Sequence, residues 1–163
     1  MNENKRAEAL ASRIEEGAEA LASFAEKLSE QQWRTIVHPD GRTVGVVVHH
    51  VASMYPIEIQ VASEIGAGKP VEGVTWDDVA AINAKHAAEN SSASPRDTVT
   101  LLRKNSRSAA EAVRKITDAE LDRAAAFSLS AGAPMTAQFV IEDHALRHAW
   151  HHLAKIQAAL ALP

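Results

Sequence analysis

Four of the chain's eight histidines fall in one short segment, EDHALRHAWHHLAKI (142–156): His144, His148, His151 and His152. Imidazole is a base near neutral pH and a good nitrogen donor for zinc or nickel. His148 and His152 stand four residues apart. On a helix that spacing projects both rings in the same direction, so two imidazoles can reach one ion. On a wheel of ~100° per residue, Ile141, Ala145, Ala149, His152 and Ile156 lie within about 100° of His148. His148 and His152 therefore share the apolar arc that should face a protein interior. His144 and His151 lie at its other edge, near Arg147 and Lys155, and are expected to be more exposed.

A third ligand must come from another helix, and VVVHHVASM offers one. His50 shares a helical face with Val47, Met54, Val61 and Ile65, while His49 is turned ~100° away. His50, His148 and His152 thus form a candidate metal set of three imidazoles. It would leave positions open for water or substrate, as catalytic sites do. The same spacing also suits hydrogen-bonded core histidines, and periodicity alone leaves both readings open. One turn from these ligands, Met54, Glu58 and Ile141 are expected to line a channel between the two helices. Glu58 lies ~80° from His50. It is a candidate acid or base, or else a surface carboxylate beyond Pro56.

Other chemistries lack their residues. No glutamate stands three positions before any histidine, as di-iron carboxylate bundles require, and no His-Glu-x-x-His occurs. A hemerythrin-like oxygen binder would need carboxylates around two irons, and no His-x-x-x-Glu is found. GAGKP is not a phosphate loop, because Ser63 and Pro70 stand where glycine and Ser or Thr are needed. There is no Gly-x-Ser-x-Gly elbow. The absence of cysteine removes disulfides, thiolate ligands and thiol nucleophiles. A net charge of −4 provides no basic field for nucleic acid or anionic lipid. A polar N-terminus and the lack of a long apolar run point to a cytoplasmic protein.

The elements that must position the histidines are helical, and the 163 residues suit one domain, 1–163. Leu10, Ile14, Leu21, Phe24 and Leu28 predict a first helix over about 3–29. SEQQW suggests a break and HPDGRT a turn. A second helix is expected from Thr43 to Ile65, bent or locally broken at Pro56. The loop GAGKPVEG leads to a third helix from near Thr75, which fades at NSSAS. Ser94 and Pro95 open a fourth, running to about Lys115. Thr117 and Glu120 form a capping box for one short turn. SLSAGAP reads as a loop, and the last helix as Met135–Leu160. The expected class is all-α: a four-helix bundle with one or two short extra helices.

Two segments carry a family resemblance, LSEQQWRTIVHPDGRTVGVVVHHVASM and HALRHAWHHLAKIQAAL. Their order and separation resemble the DinB-like (DinB/YfiT) superfamily of metal-binding four-helix bundles, over nearly the whole chain. The first resembles that family's turn followed by a helix bearing a metal histidine. The second resembles its closing helix with His-x-x-x-His. The resemblance falls on His50, His148 and His152. Arg42 stands where many relatives have tryptophan, and Val46 where an acidic residue is common. These departures bear on the substrate rather than on the fold. The resemblance implies one divalent ion, zinc or nickel. It also implies a possible low-molecular-weight thiol cosubstrate, of the bacillithiol or mycothiol type, for S-transfer or isomerisation. A non-catalytic metal-binding or stress-response role is the alternative.

Phe139, Leu146 and Trp150 form a second apolar stripe on the last helix, nearly opposite His148. Either residues 30–40, with Trp33 and Ile36, or a second subunit should cover it. A homodimer about a twofold axis is the expectation.

Overall fold

A computed structural model describes residues 5–161. Four long helices form the bundle: α1 (Lys5–Ala25), α3 (Val44–Gly66), α5 (Pro95–Val113) and α8 (Arg147–Ala161). The last follows directly on α7 (Ala137–Val140) and a π-helical segment (Ile141–Leu146). α5 packs against both α1 and α3, and α8 closes the bundle against α1 and α3. Leu10, Ile14 and Leu21 of α1 are buried among Ala7, Ala11, Ala18, Ala22 and Ala25. These small residues let neighbouring helices approach closely. On the exposed side, Arg103 reaches Glu19 and Glu26, and Arg114 reaches Glu8 and Glu15. Each arginine thus reaches two α1 carboxylates a heptad apart, and such exposed pairs add little stability.

The caps follow the sequence. Thr43, Thr75, Ser94, Thr117 and Thr136 each accept a backbone N–H of the helix they open. Pro95 stands at the start of α5, and Thr117 with Glu120 caps the short α6 (Asp118–Asp122). The expected break after α1 is itself a single turn, α2 (Glu30–Trp33), closed by a reciprocal Ser29–Gln32 capping box. α2 seats Trp33 against Gly45, where a Cβ would come within 2.4 Å of the indole nitrogen. That nitrogen donates to the Ala93 carbonyl at 3.0 Å. Gly45 is therefore required for the start of α3 to lie under Trp33.

Three expectations need correction. The local break offered at Pro56 is absent, and α3 runs through the proline without interruption. The proline leaves the Ala52 carbonyl without its helical N–H, and the Asn105 side-chain amide of α5 donates to that carbonyl at 2.8 Å. The SLSAGAP region is the turn of a small hairpin rather than a plain loop. β1 (Ala124–Ala126) and β2 (Pro134–Thr136) pair antiparallel, with Ala125 opposite Met135. Met135 thus belongs to a strand, and the last helical run starts at Ala137 after the Thr136 cap. That run also changes winding, from α to π and back.

α4 (Trp76–Glu89) stands apart from the bundle. It packs chiefly on α3 and contains no buried residue. Among the described residues, no helix is long and apolar enough to cross a membrane.

Candidate metal centre

α3 and α8 bring the predicted histidines together. One ligand nitrogen from each of His50, His148 and His152 lies within 4.8 Å of the other two. His50 and His152 are buried, and His148 is half-buried. Nε2 of His148 is 3.2 Å from Nε2 of His50. Two nitrogens bound to one ion at about 2.0–2.1 Å stand roughly 3–4 Å apart, so this spacing fits a shared ion. The rings meet edge to face, His50 with His148 at 4.9 Å and with His152 at 5.6 Å between centroids.

Electrostatics keep two of the three rings, His50 and His152, neutral. Burial, followed by the charges of His148, Arg42, His152 and His86, pushes the pKa of His50 down to about 2. Burial, followed by His148 and Arg42, pushes that of His152 down to about 3. Both rings hold a free lone pair at any physiological pH. The Nδ1 atoms of His50 and His152 are buried without a hydrogen-bond partner.

Glu58 is buried, not a surface carboxylate. Its Oε1 lies 2.7 Å from His148 Nδ1, on the side of the ring away from His50. The contact is close without being a well-aligned hydrogen bond, since neither Nδ1 nor Glu58 Oε2 has a hydrogen-bond partner. Its short length still makes the carboxylate the natural acceptor for an Nδ1 proton. Glu58 thus orients an imidazole from behind and does not face the open side. The neighbouring Tyr55 phenol is fully buried, and burial together with the Glu58 charge raises its pKa. Ile141 is fully buried and Met54 half-buried.

The chain matches the family model described as the DinB superfamily over residues 13–156. It belongs to the DinB superfamily. No curated protein is similar enough in sequence to match it. Among solved structures it is similar to YfiT from Bacillus subtilis, at 19% identity and a TM-score of 0.75. The match covers 98% of this chain and 88% of YfiT. YfiT is described as a probable metal-dependent hydrolase with an unusual four-helix bundle topology. At that identity the likeness concerns the fold.

In this DinB-superfamily chain the remaining histidines divide. His151 is exposed, as its wheel position predicts. His144 is half-buried, with its ring 5.7 Å from that of Phe127. It stands four residues before His148, within the π-helical segment 141–146, and is not part of the cluster.

Two contributors were missed by periodicity. His86, on α4, approaches His49 with Nε2 2.9 Å from His49 Nδ1, and its ring lies 5.6 Å from that of His50. His49 therefore ties α4 to the flank of the centre, with Ser53 Oγ 3.3 Å from the same Nδ1. Arg42 and Asp40 form a largely buried pair in the turn before α3. Arg42 entered the sequence reading only as a departure from the family pattern. The one available signal was a charged pair packed into a tight turn.

Proposed function

We propose that His50, His148 and His152 hold one divalent ion, zinc or nickel, and that the protein is a metal-dependent enzyme that activates a small thiol for transfer to an electrophile. The observation that carries this reading is a set of three imidazoles, two of them buried and one half-buried, with no carboxylate among its ligand atoms. A 2+ ion in such a set keeps its charge available to lower the pKa of a bound thiol or water.

The chain's own residues supply the rest. His50, His148 and His152 present lone pairs from two helices and leave further positions free. Glu58 Oε1 stands beside His148 Nδ1, which leaves Nε2 as the atom of that ring free to ligate. His49 and His86 close one flank. No carboxylate was found in the cluster among the described residues, and a metal-bound thiol needs no separate base to ionise. This favours a thiol nucleophile and disfavours a two-iron oxygen binder.

Hydrolysis is the second reading, favoured by the description of YfiT. A non-catalytic metal-binding role is the third. Metal analysis followed by parallel assays with thiol plus electrophile and with simple esters and amides separates all three. Metal-dependent thiol consumption supports transfer. Turnover without thiol supports hydrolysis, and bound metal without turnover supports the binding role.

A further inference from the structure

The three-histidine centre shows little of itself to solvent. His50 is 5% exposed, His152 6%, and the side chain of His148 15%. Free entry to such a site requires an element beside it to move. α3 and α8 carry the histidines and also the bundle core, so moving either one opens that core. α4 is different. It buries no side chain and leaves Trp76 and Ile82 exposed. A helix with no buried face gains little from the hydrophobic effect, and segments with few buried contacts open at low cost.

The chain is anchored on either side of α4. Before it, Val71 N–H donates to the Ala126 carbonyl and Ser128 N–H to the Val71 carbonyl, both at 2.9 Å. After it, the Ala93 carbonyl accepts from Trp33 Nε1 at 3.0 Å. Between these anchors, among the described residues, two side-chain bonds tie α4 to the rest of the molecule. Trp76 Nε1 donates to the Leu129 carbonyl at 3.2 Å, and His86 Nε2 meets His49 Nδ1 at 2.9 Å. The second bond lies on the centre itself, with the His86 ring edge-on to that of His50 at 5.6 Å. The ends of α4 are capped from within, by the Thr75–Asp78 capping box and by the Asn90 side-chain amide donating to the His86 carbonyl. The helix therefore keeps its own caps when it leaves α3. Gly73, at φ +77° with open space around it, gives the chain a turn between the Val71 anchor and α4.

We propose that α4 is a lid on the three-histidine centre: it lifts as one unit between the anchors at Val71 and Ala93, and the Trp76–Leu129 and His86–His49 bonds latch it shut over His50. Few-residue turns at the ends of a rigid element are the usual hinges of such closures. What the lid admits rests on the reading of the centre as a metal site; the movement itself does not.

The test reads two rates on full-length, metal-free protein. The first is amide hydrogen exchange followed by mass spectrometry. Peptides of α4 are expected to exchange well ahead of those of α3 and α5. Each latch is one hydrogen bond, so Trp76→Ala and His86→Leu should each speed α4 exchange about 5-fold and leave α1, α3 and α5 as they were. The second rate is carbethoxylation of His50 by diethyl pyrocarbonate, located by mass spectrometry. Trp76 lies about 15 Å along α4 from His86, so its loss reaches His50 only through movement of the helix. Trp76→Ala should nevertheless speed modification of His50 by the same factor as α4 exchange. Wild-type α4 exchanging as slowly as α3 overturns the proposal, and so does faster α4 exchange with His50 modification unmoved. Variant effects spread evenly over all the bundle helices also overturn it, because α4 then opens only with the whole fold. Neither rate needs an ion. The expected rates in a protein that retains no metal would sink the metal assignment and keep the lid, and a retained metal with unmoved rates would do the reverse.

Discussion

Glu58 Oε1 lies 2.7 Å from His148 Nδ1, so a carboxylate on α3 holds the back of an imidazole on α8 while His50, two turns earlier on α3, faces its front. A ligand held in this way keeps its tautomer and angle, and loss of such a partner typically lowers metal affinity by about 10–100-fold. Glu58→Ala is therefore expected to reduce affinity by about that factor without emptying the site. Competition against a chromophoric chelator measures it. Unchanged affinity would show that the carboxylate does not orient the ring.

Removal of a ligand should do more. His50→Ala, His148→Ala and His152→Ala are each expected to bring the metal content of untagged protein from about one ion per chain to near zero. His144→Ala and His151→Ala should retain it. Elemental analysis decides this, and equal retention in wild type and His148→Ala would dismiss the three-histidine assignment.

Acid should destabilise the metal-free protein. The pKa values of His50 and His152 are pushed down to about 2 and about 3, so between those values and the unfolded value near 6.5 the unfolded chain binds more protons than the folded one. Stability then rises with pH: the contribution is fully present above about 6.5 and is lost progressively as pH falls towards about 3. Urea unfolding at stepped pH reads it. In a His50→Gln/His152→Gln double variant the slope should flatten.

The Pro56–Asn105 relationship yields a double-mutant cycle. Asn105→Ala leaves the Ala52 carbonyl without a donor and should cost about 1–3 kcal/mol. In a Pro56→Ala background, residue 56 regains the N–H that α3 needs, and the same substitution should cost clearly less. Thermal and urea unfolding of the four proteins measure the coupling. Equal costs in both backgrounds would mean that Asn105 acts elsewhere.

The second stripe of the last helix is only partly covered by its own chain. Leu146 is buried, and Trp150 lies on Gly17 of α1, where a Cβ would come within 2.8 Å of the indole nitrogen. Trp33, the intrachain candidate for a cover, is instead seated on Gly45 and bonded to Ala93. Phe139 and Trp150 remain 43% and 44% exposed, and a second copy of the chain is the cover we propose for them. Sedimentation at micromolar concentration is expected to show the dimer, and Trp150→Glu to shift it to monomer. A monomeric wild type would return the stripe to its own fold.

The sequence made legible what depends on local pattern. Thr43, Ser94 with Pro95, and Thr117 with Glu120 announce helix starts because a cap is chemistry between near neighbours. His50, His148 and His152 were found because a helical face repeats at a fixed angle, and the same angle placed Glu58 near the interior. What escaped depends on distant partners. Nothing near Pro56 reveals that Asn105 supplies its missing donor. His86 sits near the end of a helix with no buried face, so periodicity gives it no direction. The π winding leaves the apolar pattern of 137–156 readable as a plain α-helix, so the change of winding at 141–146 has no local signal.

α4 forms one wall of the histidine cluster through His86, yet it buries nothing of its own. The three histidines belong to helices whose replacement would dismantle the bundle core, whereas substitutions along α4 meet solvent and leave that core intact. The two parts of the site are thus under different constraints during descent. A lineage can redraw the flanking wall residue by residue while the three-histidine floor stays as it was.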